Sequence, residues 1–283
     1  RGYAFLSGPS FAKEIAVGLA TAVVVASDDR RLADEFSAIL SSPEFRVFTS
    51  QDVIGLEVGG AVKNVIALAA GMCEGLGLGT NAVTALVTRG CYEMQRIALA
   101  MGGRSSTITG LSGVGDTFGT CFGPLSRNRN LGIRLGKGER LKDILDSSIE
   151  VAEGVETAFA LERLIKTSHR SYRLDLKFPI IFGVVDILRG NSTPREGLQD
   201  LMLLPIRPEF LFDSGPDLSG SGVNGGGLRI RGKVDAHALD DDAAEDDSVV
   251  LPANFGDDAP ELAVSAAVSE TGIANDDDLG HRR

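Results

Sequence analysis

The sequence predicts a short α/β unit followed by an all-helical domain, and three observations carry that reading. Near the start, YAFLSG, TAVVVAS and FRVFTS are compact runs rich in β-branched and aromatic residues, separated by PSFAKEIAVG and DDRRLADEFSAILSS, which suit helices. Beyond residue 51 the apolar residues recur at three and four instead, the period of an amphipathic helix. Past residue 208 sustained periodicity ends, and Gly, Asp, Ser and Ala dominate.

These changes divide the chain into residues 1–51, 52–208 and 209–283. In the first part, alternation of strand and helix implies a largely parallel sheet. The few strands there are too few for a free-standing sheet, so the sequence reads as joining a domain partway through. In the second part, long helices are expected over Asp52–Glu74 and Asn81–Met101, broken at Gly79 and Thr80. Shorter ones follow near Val114–Phe122, Leu141–Ser147, Val155–Thr167, Phe178–Leu188 and Thr193–Met202, with Pro194 just inside the last, where proline is tolerated. The third part is expected to be mostly disordered. A solvated appendage is the simplest reading of it and an acidic interaction segment the alternative.

Charge follows the same division. The net charge is -11 at pH 7, and from Leu211 onward there are sixteen Asp and Glu against five Lys and Arg, so residues 1–210 are neutral. Neither part offers the basic surface that nucleic-acid binding needs. With 43% hydrophobic residues, 283 residues can build one large core or two smaller ones. Cys73, Cys91 and Cys121 lie apart in apolar segments, without the spacing of a zinc site or a disulfide framework, which favours a reducing compartment and no metal. No run approaches ~20 uninterrupted apolar residues, and the start has neither a signal-peptide core nor a transit-like leader, so membrane insertion and secretion are not expected.

For chemistry, the most informative residue is Lys63, in EVGGAVKNVIALAAGMCEGLGLGTNAVTALV. An ammonium among Gly, Ala and Val on a helix is costly to bury without a partner, and a lysine so placed is a common proton donor. Histidine, the usual neutral-pH acid or base, occurs only at His169, His237 and His281, so proton transfer in the body of the chain falls to lysine or a carboxylate. On a helical period the neighbours of Lys63 are Gly59, Gly60, Ile66, Ala67 and Ala70, a face that permits close approach of a ligand or another backbone. The alternative is a lysine that snorkels from a packing seam.

Two further segments carry polar chemistry. In TGLSGVGDTFGTCFGPLSRNRNLG, Gly110, Gly113 and Gly115 surround Asp116, and Ser126, Arg127, Asn128 and Arg129 follow. Glycines with Ser, Arg and Asn suit a phosphate, and Asp116 can hold Lys63 or orient a substrate hydroxyl; an ordinary basic helix connection is the plain alternative. In SGPSFA, Ser7 to Ala12, a strand runs through Gly8 and Pro9 into a helix, at the strand end where open α/β sheets bind ligands. A simple turn with Ser10 as helix cap is the alternative there.

Together the three segments resemble the NAD(P)-dependent glycerol-3-phosphate dehydrogenases of the bacterial and plastid-like type, over roughly residues 3 to 206. The most specific stretch is GAVKNVIALAAGMCEGLGLGTN, Gly60 to Asn81, which fits the family signature around its Lys-Asn pair. The resemblance implies the C-terminal part of a Rossmann-type nucleotide-binding domain, a helical substrate domain and a nicotinamide cofactor, NAD or NADP, with no metal. It implies that Lys63 is the catalytic acid/base, with Asp116 an active-site carboxylate. Gly8, Ser10, Thr120, Ser126, Arg127 and Asn128 would contact dihydroxyacetone phosphate or glycerol 3-phosphate, and Ala12, Arg127, Val151 and Glu153 the cofactor.

The sequence departs from the family in lacking the Gly-x-Gly-x-x-Gly turn that holds a pyrophosphate and a further lysine ahead of GPSFA. The expectation is therefore an N-terminally incomplete dehydrogenase. A non-catalytic helical interaction module is the rival, disfavoured because Lys63, Asp116, Arg127 and Asn128 are all present. Another dehydrogenase with a helical C-terminal domain, acting on hydroxy acids or phosphogluconate, is disfavoured by the fit of the Lys-Asn segment. A cytoplasmic location is the default, with a plastid the alternative if a transit peptide precedes the chain, and a homodimer is compatible with the helix faces without being fixed by them.

Overall fold

The computed structural model describes residues 2–148, 152–168 and 174–205. The proposed acidic tail, Val151 and the three histidines lie outside the described residues. Strands β1 (Phe5–Ser7), β2 (Thr21–Ala26) and β3 (Phe45–Ser50) form one sheet in the order β1-β2-β3, with α1 (Ala12–Ala16) and α2 (Arg30–Leu40) as connections. β2 and β3 run parallel, Val23 opposite Val47, and α2 covers them through Ala33. The Asp29 carboxylate caps α2 by accepting the Arg31 N–H at 2.9 Å.

β1 and β2 pair antiparallel, Phe5 opposite Ala26, so the sheet is not largely parallel as expected. The reason lies in α1, a five-residue helix with no buried residue. A crossover between parallel strands must cover a sheet face, and a helix with nothing to bury cannot. The chain instead bends back at Gly8, where φ is +147° and a Cβ would stand 2.9 Å from the Val23 Cα.

The rest is helical: α3 (Val53–Gly75), α4 (Gly79–Ala100), α5 (Ser105–Ile108), a π-helical turn (Leu111–Gly115), α6 (Asp116–Phe122), α7 (Arg127–Gly136), α8 (Leu141–Ser147), α9 (Glu153–Ser168), α10 (Leu174–Lys177), α11 (Pro179–Arg189) and α12 (Pro194–Met202). The break between the long helices falls at Gly77 and Gly79, both with positive φ, and Thr80 belongs to α4. α12 starts on a full capping box between Thr193 and Glu196, with Pro194 at its first turn.

α3 is the core helix. It is long and apolar enough, by length and composition, to cross a membrane, yet most of it is buried within the domain, against α4, α6, α7, α9 and α11. Val62, Val65, Ile66 and Leu68 are wholly inaccessible. At roughly 1.5–3 kcal/mol for each fully buried aliphatic side chain, α3 supplies much of the hydrophobic stabilisation of the helical part.

α7 was not expected from RNRNLGIRLG, a polar segment with a glycine inside the helix, which by itself costs about 1 kcal/mol. Packing overrides propensity. Gly71 and Gly75 on α3 meet Gly132 and Gly136 on α7, and a Cβ on Gly71 would come 2.1 Å from the Arg129 carbonyl oxygen, one on Gly132 2.1 Å from that of Leu68. The two backbones touch, which only glycines at i and i+4 on both helices permit.

Two buried carboxylates tie α11 into the core. Glu93 on α4 accepts the Ile180 and Ile181 N–H groups at 2.8 and 3.1 Å, satisfying N–H groups of the first turn of α11 that have no partner within the helix. Burial pushes its carboxyl up to about 8, against those N–H groups and the charges of Arg96 and Arg89. Glu162 on α9 takes the guanidinium of Arg189 through both oxygens and Lys166 at 2.8 Å. The Arg189 bonds hold it down at about 2, burial opposing.

Gly71→Ala and Gly132→Ala should each lower stability by about 1–3 kcal/mol in urea denaturation, overriding the helix-propensity gain of alanine; a stability gain would show that the helices do not touch there. Because the folded pKa of Glu93 is raised from 4.5 to about 8, the folded state holds the extra proton between those values, so its contribution falls as pH rises through that window. Glu93→Gln should flatten that decline when unfolding free energy is measured against pH.

Candidate active site

Lys63 sits midway along α3 between the buried residues Val62 and Asn64. Its side chain is 21% exposed, and its Nζ donates to Asp116 Oδ2 at 2.5 Å. Asp116 opens α6, directly after the π-helical turn, with a side chain 6% exposed. Thr120, one turn along α6, donates its hydroxyl to the Asp116 carbonyl at 2.7 Å and lies 3.4 Å from Oδ1. The Gly8 N–H, from the bend after β1, also reaches the Asp116 carboxylate. Burial pushes this carboxyl above the ordinary carboxylate value, against the opposing pull of the Lys63 ammonium, the Thr120 hydroxyl and the Gly8 N–H. Helix, turn and sheet thus converge on one ion pair.

Ser10 does not cap the following helix. Its hydroxyl bonds back to the Gly8 carbonyl at 2.9 Å, and Phe11 stands at the helix boundary. Ala12, first residue of α1, is exposed. Pro9 lies against Gly119, and the Phe11 ring against Gly123, so the segment from Gly8 to Phe11 follows α6.

A second group adjoins the first through Asn64. Asn128, buried in the first turn of α7, donates from Nδ2 to Asn64 Oδ1 at 3.0 Å and accepts the Gly154 N–H at 2.9 Å on Oδ1. Its amide joins α3, α7 and α9 one residue from Lys63. Ser126 caps α7 by accepting the Arg129 N–H at 3.2 Å, and Arg129 pairs with Glu74 at the end of α3. Arg127 and Glu153 are exposed, in the first turns of α7 and α9.

The structure therefore brings Lys63, Asp116 and Thr120 together with Gly8, leaves Ser10 bonded to the Gly8 carbonyl beside them, and places Ser126, Arg127 and Asn128 on the adjoining helix end. Sequence reasoning did not single out Asn64 and Gly154 as site residues. The available signal was an amide next to the lysine in an otherwise apolar helix. Cys73, Cys91 and Cys121 are free and buried, and burial pushes the first two thiols to about 11 and the third higher, so none is a ready nucleophile. Among the described residues no group of three or more His, Cys, Asp or Glu is placed to hold a metal ion. Two small apolar cavities, one lined by Met72, Leu86, Ile187 and Leu201 and one by Ile54, Glu57, Val62 and Met101, do not include Lys63 or Asp116.

Chemically, an ammonium held by a buried carboxylate can donate a hydrogen bond, then a proton, to an oxygen that gains negative charge. The carboxylate balances the charge of the lysine without the freedom to turn away.

Comparison with known proteins places the chain among relatives. Residues 52–199 match the family described as the NAD-dependent glycerol-3-phosphate dehydrogenase C-terminus, and residues 2–33 match the corresponding N-terminus. A glycerol-3-phosphate dehydrogenase [NAD(P)+] of Syntrophotalea carbinolica is 48% identical over 207 residues, 73% of this chain and 60% of that protein. A chloroplastic glycerol-3-phosphate dehydrogenase [NAD(+)] of rice is 48% identical over 200 residues, 71% of this chain and 44% of that protein. The crystal structure of glycerol-3-phosphate dehydrogenase from Coxiella burnetii superimposes with a TM-score of 0.67 at 36% identity, covering 72% of this chain and 61% of that one. The chain thus spans between 44% and 60% of the length of these two curated relatives.

Asn128→Ala should leave the Gly154 N–H and the Asn64 Oδ1 buried without their partner, at a cost of about 1–3 kcal/mol for each unsatisfied group. Chemical denaturation checks this, and a loss below ~0.5 kcal/mol would show that water replaces the amide freely.

Proposed function

The chain belongs to the NAD-dependent glycerol-3-phosphate dehydrogenase family, and on that premise we propose that it interconverts dihydroxyacetone phosphate and sn-glycerol 3-phosphate by hydride transfer with NAD or NADP. The observation that carries the proposal is the Lys63 Nζ fixed on Asp116 Oδ2 at 2.5 Å inside the core helix.

In this reading Lys63 meets the ketone oxygen of dihydroxyacetone phosphate and gives it a proton as negative charge develops there. In the reverse direction its neutral amine takes the proton of the alcohol. Asp116 holds the lysine in place and stabilises its charged form, while Thr120 and the Gly8 N–H hold Asp116. Gly8, Ser10 and Thr120 line the substrate, and Ser126, Arg127 and Asn128 anchor its phosphate at the start of α7, where an arginine and a helix N-terminus suit an anion. Bound nicotinamide supplies or accepts the hydride. Ala12, Arg127 and Glu153 are exposed at the first turns of three helices, which leaves them open to a dinucleotide, and Val151 belongs to the same assignment from sequence.

The division at residues 51 and 52 is part of the proposal. Its support is two separate clusters of buried residues, one of Val23, Val25, Ala33 and Val47 in the sheet, the other in the helices. A location in cytoplasm or plastid also belongs here, supported by relatives that include bacterial and chloroplastic proteins, as does assembly into a homodimer.

The test is oxidation of NADH or NADPH by dihydroxyacetone phosphate, followed by nicotinamide absorbance. Lys63→Ala should lower kcat by at least about a hundredfold with the circular dichroism spectrum retained. Retention of more than about a tenth of the activity would remove Lys63 from the chemistry.

A further inference from the structure

Asp52, Gly55, Gly59 and Lys63 are spaced by three, four and four residues, which places them on one face of α3. The segment from Arg104 to Asp116 lies along that face in the same order. Asp52 Oδ2 accepts the Arg104 N–H at 2.8 Å and the Thr107 hydroxyl at 2.6 Å. One turn on, a Cβ on Gly55 would stand 3.0 Å from the Thr107 Cβ. At Gly59 a Cβ would come 2.5 Å from the Ser112 carbonyl oxygen and 3.3 Å from the Gly113 Cα. At Lys63 the segment delivers the Asp116 carboxylate.

The π-helical turn carries the Gly59 contact and runs up to Asp116, closed by the Gly115 N–H on the Gly110 carbonyl at 3.0 Å. Such a turn holds one residue more than an α-helical turn, and one residue is worth about 100° of rotation. That extra residue swings the side chain at position 116 towards α3. Gly113 allows the turn to close, since a Cβ there would meet the Ile108 carbonyl oxygen at 2.0 Å. The Thr117 hydroxyl, donating to the Gly113 carbonyl at 2.8 Å, fastens the turn to α6.

We propose that this face of α3 is a template that fixes the register of residues 104–116, and that Asp52, Gly59 and Thr117 are positioning residues which bring Asp116 to Lys63. The proposal rests on the reading of Lys63 and Asp116 as the working pair. It assigns the placement of that pair to backbone contacts made away from any substrate. Displacing Ser112 from Gly59, or releasing Gly113 from Thr117, lets the turn shift, and the carboxylate then leaves the lysine.

The test is the rate at which Lys63 in the full chain is acylated by acetic anhydride, read peptide by peptide by mass spectrometry at one mildly alkaline pH. Asp116→Asn gives the rate for a lysine without its partner. Gly59→Ala and the near-isosteric Thr117→Val should each raise the rate by at least about threefold, as loss of an ion pair does. Gly71→Ala, an equally tight contact elsewhere on α3, should leave it at the wild-type value. Wild-type labelling in both Gly59→Ala and Thr117→Val, or an equal rise in Gly71→Ala, would overturn the proposal. If Gly59→Ala does not fold, Thr117→Val decides alone. Absence of turnover in the wild-type chain would count against the functional reading, whereas the labelling result decides the register independently.

Discussion

Gly71 and Gly132 let the backbones of α3 and α7 touch, and that contact decides where Asn128 falls. With α7 drawn onto α3, Asn128 reaches Asn64 and the Gly154 N–H, which fixes the start of α9 beside the same stretch of α3. The opposite result would follow from ordinary side chains at these positions. Helices separated by the usual 8–10 Å leave room for apolar side chains but not for an amide that bridges three helices through two hydrogen bonds. A helix buried on nearly every side therefore becomes an axis on which polar residues from distant parts of the chain are brought to within one residue of Lys63.

Three buried carboxylates show how differently the same group is held in one small domain. Glu162 faces an arginine and a lysine, and its charge is strongly favoured. Glu93 receives two backbone N–H groups in a fully buried position, and desolvation outweighs them. Asp116 stands between these cases, with a single ammonium, a hydroxyl and one N–H set against burial. Of the three, only the lysine partner of Asp116 combines a place on the core helix with a part-exposed side chain, so that pair joins a buried carboxylate with an ammonium open to solvent. The other two pairs serve packing: they hold α11 against α4 and α9.

Much of this was legible from residues alone. The strands and helices of the sheet unit, the two long helices and most of the later ones follow from period and punctuation, and Lys63 stood out because a charge inside an apolar helix needs a reason. What was missed has a common cause. α7 is polar and contains two glycines, which argue against a helix despite the Ser126 cap, and the reciprocal glycines on α3 let it pack. The antiparallel β1 was missed because the length of the following helix depends on whether it has a surface to bury, and α1 has none.

The sequence by itself determined the order of elements, the neutrality of residues 1–210 and the family of the chain, because these reside in residue type and spacing, which are local or one-dimensional. The tertiary structure alone decided that Lys63 pairs with Asp116 and that the Asn128 amide bridges Asn64 and Gly154. Those facts depend on contacts between residues tens of positions apart. Such contacts are set by how closely backbones approach and by a π-helical turn whose extra residue re-aims the side chain that follows, and neither quantity is written in the period of a single helix.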